Sequence, residues 1–247
     1  MVGFYGKLPA KGDFLTRGLP REFIDQWDDW LQVGMNDSRQ ALGDSWLQTY
    51  LTSPLWRFVL PANTLSTDAW AGVFMPSIDK VGRYFPMMVA VQLPASSNTL
   101  LVAAACANWF EAIEAQLLSA LDDEELDMDH FASALQGVEM PVPAAGTAMA
   151  PAAIDQGARL PLDANASVAQ LFLQQSISAL EPSLGACCLW WGQGSDLVAP
   201  SFLLSRGLPG PGQFTALLDG NWATWGWTEG GDVTAGITPT KIDLATL

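Results

Sequence analysis

Val2, Phe4 and Tyr5 run into the turn residues Gly6, Pro9 and Gly12, a pattern that predicts a first strand over 2–5. Pro20 suits the first turn of a helix. Phe23, Ile24, Trp27, Trp30 and Leu31 then recur every three or four positions. Residues 20–33 therefore predict an amphipathic helix with Asp25, Asp28 and Asp29 largely outward. Asn36, Asp37 or Ser38 caps a second helix with the stripe Leu42, Trp46, Leu47, Tyr50 and Leu51. It ends before Pro54, because the residue preceding a proline is pushed out of the helical region. Three apolar runs follow, at 55–60, 70–75 and 84–93, rich in aromatic or β-branched residues and fenced by proline or glycine. Their separators are turn-like and too short for crossover helices, which predicts an antiparallel meander.

Ser96, Ser97 or Asn98 caps a long helix reaching about residue 121, apolar on most sides at first and amphipathic later through Ile113, Leu117 and Leu121. That pattern implies burial against the sheet. Between 137 and 166 the periodicity stops and Pro141, Pro143, Pro151 and Pro161 stand among alanines. A stretch of this length reads as an inter-lobe connection in preference to a partner-responsive segment. Ser167 caps a helix to about 180, strands are expected at 185–191 and 201–204, and 213–218 fits a short helix. The tail from Asn221 carries Trp222, Trp225 and Trp227 among glycines. The expected fold class is α/β (α+β): a mainly antiparallel central sheet flanked by helices, a longin- or profilin-like sandwich with a C-terminal strand-helix extension. Residues 1–136 form the N-terminal lobe, 137–166 the linker, and 167–247 the extension packing on the same fold.

Composition narrows the function. Of 247 residues, 49% are hydrophobic and only 15% charged, enough apolar surface for a full core without staples. The net charge of −15 argues against a nucleic-acid partner. It is regional: residues 1–94 carry eight bases and nine acids, residues 95–247 three bases and seventeen acids. The densest acidic run, 122–129, lacks the spacing of a calcium loop and reads either as a solvated connection between helices or as a surface for a basic partner. The most apolar stretch, 100–110, is cut by Glu111 and Glu114 well short of the ~18–20 residues that span a bilayer, so no direct membrane insertion is expected. No apolar h-region opens the chain, and its three cysteines have no zinc or multi-bridge spacing, so a reducing, cytoplasmic setting is expected.

Catalytic groups are scarce. His130 is the only histidine, no G-x-S-x-G elbow exists, and neither Gly6-Lys7 nor Gly192-Gln-Gly-Ser195 completes a phosphate-binding loop. Asp28 and Asp29 are adjacent on a helix and point to different faces. No catalytic, metal or cofactor site is assigned. Three clusters at strand ends stand out instead: Lys7-Leu-Pro-Ala-Lys11-Gly-Asp13, Trp56-Arg57-Phe58, and Pro76-Ser77-Ile-Asp79-Lys-Val-Gly-Arg83-Tyr-Phe-Pro86. Arg57, flanked by aromatics, either pairs with a buried acid such as Asp13 or Asp79 or serves recognition. Asp79 and Arg83 bracket a tight connection, and stabilise a turn or bind a partner. Trp190 and Trp191 are consecutive in a strand, so they must face opposite ways, and tryptophan is a preferred interface anchor.

These motifs, read in order, resemble one family. Gly3-Phe-Tyr-Gly-Lys-Leu-Pro-Ala-Lys-Gly-Asp-Phe14, Trp27-Asp-Asp-Trp-Leu-Gln32, Ser38-Arg39, Trp46, Tyr50-Leu-Thr-Ser-Pro-Leu-Trp-Arg-Phe58 and Gly72-Val-Phe-Met-Pro-Ser-Ile-Asp-Lys-Val-Gly-Arg-Tyr-Phe-Pro86 are similar to the TagF (ImpM) family, accessory proteins of bacterial type VI secretion. The likeness is continuous over 3–94, with Leu189-Trp-Trp-Gly-Gln-Gly-Ser195 as a later anchor. It implies a cytoplasmic, non-catalytic repressor acting after translation against a threonine phosphorylation pathway, with a forkhead-associated scaffold protein as partner. Some relatives carry a fused metal-dependent phosphatase, and no such segment stands in this chain. The resemblance brings no catalytic residues, which leaves Lys7, Lys11, Asp13, Arg57, Ser77, Asp79, Arg83, Trp190 and Trp191 as candidates for fold or interface. Rival readings are a structural component of the secretion assembly and a small hydrolase using Ser77, Asp79 and Arg83 or His130.

Overall fold

In the central strands, alternate residues face opposite sides, and this chain sorts them by size. The computed structural model describes residues 1–141 and 168–228. Its strands are β1 (Val2–Gly6), β2 (Leu15–Arg17), β3 (Trp56–Leu60), β4 (Ala69–Met75), β5 (Met87–Leu93), β6 (Cys188–Gly192) and β7 (Ser201–Ser205). They form one seven-stranded sheet in the order β2-β1-β5-β4-β3-β6-β7, antiparallel at every pairing. The expected meander is its centre, with Trp56 opposite Phe74 and Ala71 opposite Val91. Trp56, Phe58, Trp70, Phe74 and Trp190 go to one face, and Val59, Ala71, Val73, Val89 and Leu189 to the other.

Helices cover both faces, as the α+β reading requires. The aromatic face carries α1 (Arg21–Leu42), α2 (Trp46–Leu51) and α7 (Pro211–Asp219). The aliphatic face carries α3 (Thr99–Ala105), α4 (Ala107–Asp122) and α5 (Met128–Gln136), with α6 (Val168–Leu184) against α3. Packing between α1 and α7 is close because residue 34 is glycine: a Cβ there would fall 2.5 Å from the Phe214 ring. Among the described residues no helix is long and apolar enough to cross a membrane.

The structure departs from the sequence reading in four places. No second helix is capped at 36–38, because α1 runs unbroken to Leu42. Ser38 is fully buried, and its hydroxyl donates to the Met35 carbonyl and accepts from Trp46 Nε1, so it serves packing and not a cap. The long helix expected from 98 to 121 bends at Cys106 into α3 and α4, with Asn98 the cap that accepts from the Leu101 amide. The short edge strand β2 lies in a segment without alternation, which hides it from a periodicity reading. Helix α5 follows the acidic run, where Asp127 caps it by accepting from the amides of His130 and Asp129, bonds that hold its carboxyl below the usual range. The segment expected as a linker lies outside the described residues from 142 onward, as does Ser167.

Candidate functional site

The sheet brings two of the predicted clusters together. Residues 7–13 leave the end of β1 and residues 76–86 connect β4 to β5, the strand beside β1. The chain turns sharply at Gly6, where φ is +139° and a Cβ would fall 2.1 Å from the Pro86 carbonyl oxygen. Lys7 Nζ then lies 2.6 Å from Asp79 Oδ2, with the Lys7 side chain 5% exposed and that of Asp79 fully buried. Arg83 Nε donates to the same oxygen at 2.7 Å, and the amides of Val81 and Arg83 donate to Oδ1 at 3.0 and 2.9 Å.

Burial by itself would push the Asp79 carboxyl up, yet these four donors outweigh it and hold the group well below the usual carboxylate range. Two backbone ties complete the joint: the Lys80 amide donates to the Lys11 carbonyl at 3.0 Å, and Arg83 Nη2 donates to the Gly12 carbonyl. Phe14 caps it, with Lys7 Nζ 4.7 Å from its ring centre. Since a carboxylate has about four acceptor sites, Asp79 is saturated and has none left for a substrate proton.

The other candidates are placed apart. Lys11 contributes its carbonyl to the joint, while Asp13 is exposed and makes no hydrogen bond or ion pair to a described residue. Tyr50 brackets Ser77 from α2: its hydroxyl donates to the Ser77 carbonyl and accepts from the Ser77 amide, both at 2.9 Å. The Ser77 hydroxyl is buried without a partner among the described residues. Arg57 pairs with neither Asp13 nor Asp79. Its Nε and Nη2 donate to the two oxygens of Glu114 on α4, at 2.8 and 2.6 Å, on the aliphatic face. Sequence reasoning missed Glu114 because it took that residue only as a break in an apolar stretch, although it follows the core residue Ile113.

Trp190 and Trp191 do face opposite ways. Trp190 is fully buried in the aromatic core and donates to Ser205 Oγ at 3.0 Å. Trp191 packs on Phe110 and lines an apolar hollow of about 340 Å³ together with Leu100, Ile177 and Phe202. Trp222, Trp225 and Trp227 are half-buried against α7, where Trp225 donates to Asp219 and Trp227 to the Gln213 carbonyl. His130 is exposed in the first turn of α5. Cys106, Cys187 and Cys188 are free buried thiols, and burial pushes that of Cys188 up to about 11. Among the described residues no three His, Cys, Asp or Glu side chains converge as metal ligands.

The family model of the TagF N-terminal domain, type VI secretion system-associated, matches residues 3–138, more than half of the chain. The chain belongs to the TagF family. The match extends past the motifs of residues 3–94 through α3, α4 and the acidic run to α5, so this part of the acidic half is family structure too. The TagF chain is also similar to the crystal structure of PA0076 from Pseudomonas aeruginosa PAO1, with 38% identity and a TM-score of 0.72. That likeness covers 89% of this chain and 94% of the other. No curated protein matches. Within this TagF protein the motif residues Lys7, Asp79 and Arg83 join β1 to the β4–β5 connection, and Arg57 joins the sheet to α4.

Proposed function

We propose that this type VI secretion-associated chain is a non-catalytic cytoplasmic protein that represses secretion after translation by binding a forkhead-associated scaffold component. The observation that carries this reading is membership of the TagF family across residues 3–138. The site geometry supports it. Of the polar residues that a hydrolase would need at 77–83, Asp79 is saturated by Lys7, Val81 and Arg83, and Ser77 is buried. A binding protein needs only surface, and it keeps its buried polar groups for architecture.

The test has two arms in the native host. Affinity capture of the tagged chain from cytosol at moderate salt is expected to recover a forkhead-associated protein, and overproduction of the chain is expected to reduce secretion without lowering the abundance of the secretion components. Secretion that stays unchanged on both deletion and overproduction overturns the proposal, as does falling abundance of those components, which would place the control before translation.

A further inference from the structure

Of the five arginines in residues 1–94, four are held by carboxylates: Arg17 by Asp129, Arg21 by Asp25, Arg57 by Glu114 and Arg83 by Asp79. Arg39, in the last turn of α1, is exposed and makes no ion pair with a described residue. Its guanidinium lies 4.1 Å from the centre of the Trp46 ring. That ring is fixed from behind: its Nε1 donates to Ser38 Oγ at 3.0 Å and it stacks on Tyr50 at 5.1 Å. Tyr84 sets its ring edge-on to Trp46 at 5.8 Å, and its hydroxyl has no hydrogen-bond partner among the described residues. Arg83 turns Nε and Nη2 inward to Asp79 and Gly12, which leaves its Nη1 without a partner among them. Arg39, Trp46, Leu47, Arg83 and Tyr84 together line an open hollow of about 490 Å³.

We infer that this cup is a docking site for a carboxylate carried on a short acidic and apolar segment of a partner protein. Guanidinium donors arranged as a fork match a carboxylate, and the aromatic wall holds Arg39 in place at little conformational cost. The rim is apolar. Leu47 and Leu51, one helical turn apart on α2, are 42% and 48% exposed, and Val81, two residues before Arg83, is 68% exposed. A ligand with a carboxylate beside apolar side chains fits both features.

The charge of the molecule selects among anions. A chain of net −15 repels an extended polyanion such as a nucleic acid or an anionic membrane surface, whereas a segment placing one or two carboxylates in a local cationic cup does not meet that repulsion along its whole length. A second copy of this chain is the poorer occupant. Its acidic run lies between α4 and α5 on the opposite face of the sheet, so the contact would be head-to-tail and would not close into a symmetric dimer.

This inference rests on the reading that the chain works by binding another protein, but its test does not require the partner to be known. The full ¹⁵N-labelled chain is titrated with the N-acetylated tetrapeptide Leu-Glu-Glu-Leu and with Leu-Gln-Gln-Leu at low salt. The Trp46 indole N–H, assigned by its loss in Trp46→Phe, is expected to shift saturably with the glutamate peptide alone. Arg39→Ala is expected to weaken that binding about tenfold, the loss of one charge-assisted pair. No response, an equal response to the glutamine peptide, or unchanged binding by Arg39→Ala overturns the site.

Sedimentation of the unliganded chain tests the other occupant. Salt-sensitive self-association that Arg39→Glu abolishes would assign the cup to a second copy and overturn the partner assignment. If the wild-type chain captures the forkhead-associated scaffold and Arg39→Glu captures it equally, the cup fails while the repressor reading stands. If neither captures it yet the glutamate peptide binds through Arg39, the repressor reading fails and the cup stands.

Discussion

Arg57 and Arg39 both stand beside an aromatic ring, and the protein uses them in opposite ways. Arg57 lies inside the molecule with its side chain 6% exposed, and Glu114 receives its guanidinium through two hydrogen bonds. Arg39 lies outside, with Trp46 as a platform and no described carboxylate. The difference follows from desolvation. A guanidinium taken out of water requires a counterion in good geometry, so the fold had to place Glu114 opposite it. One left at the surface keeps its hydration and can remain unpaired, which leaves it open to a ligand. The joint of Lys7, Asp79 and Arg83 lies on the buried side of this divide, and Arg83 has a foot in both regions, with one edge on Asp79 and the other toward the cup.

The contrast can be broken most directly at Glu114. Its replacement by alanine strands a buried guanidinium and is expected to cost about 3 kcal/mol. For a chain of this size that is a fall in Tm of about 10 °C, read by thermal unfolding. The double variant Arg57→Met/Glu114→Leu is expected to recover most of the loss, since the charge is removed with its partner. A single-variant loss below about 1 kcal/mol would mean that Arg57 stays hydrated and that the two arginines do not differ as described.

A smaller effect, specific to acid, belongs to Asp79. Its folded carboxyl is held below its ordinary value of 3.8, so the stability it contributes is present above about pH 4 and is lost as pH falls below that value. Denaturant unfolding followed from pH 6 to 2 is expected to show a steep acid decline in the wild type and a shallower one in Asp79→Asn, which is already weaker at neutral pH. Parallel curves for the two proteins would exclude Asp79 from the acid response. The smallest effect is expected at Arg39: its change to alanine should move stability by no more than about 0.5 kcal/mol. A larger loss would show Arg39 to be a structural residue and would blur the distinction from Arg57.

Much of the fold is legible in the amino-acid sequence. The three apolar runs at 55–93 are fenced tightly enough to predict their antiparallel order, and the spacing of Phe23, Trp27 and Leu31 predicts the buried stripe of α1. Local polarity misleads where tertiary burial overrides it. Asn36, Asp37 and Ser38 read as a cap, but Trp46 needs a hydrogen-bond partner in the core and Ser38 supplies one from inside a continuous helix. The candidate site is legible in part, because clusters at strand ends mark polar groups held by a rigid frame. Their pairing is not: Lys7 and Asp79 are 72 positions apart, and Arg57 and Glu114 are 57 apart.

By itself, then, the sequence determined what acts locally: the alternation of the central strands, the helical stripes, the glycine at position 6, the uneven charge and the family motifs. The tertiary structure alone decided which acid meets which base, which arginine is left without one among the described residues, and what Trp190 and Trp191 each pack against. The physical reason is range. Periodicity and turn chemistry act over a few residues and are written in neighbouring letters, whereas electrostatic pairing and desolvation depend on distances in space that exist only once the sheet has closed.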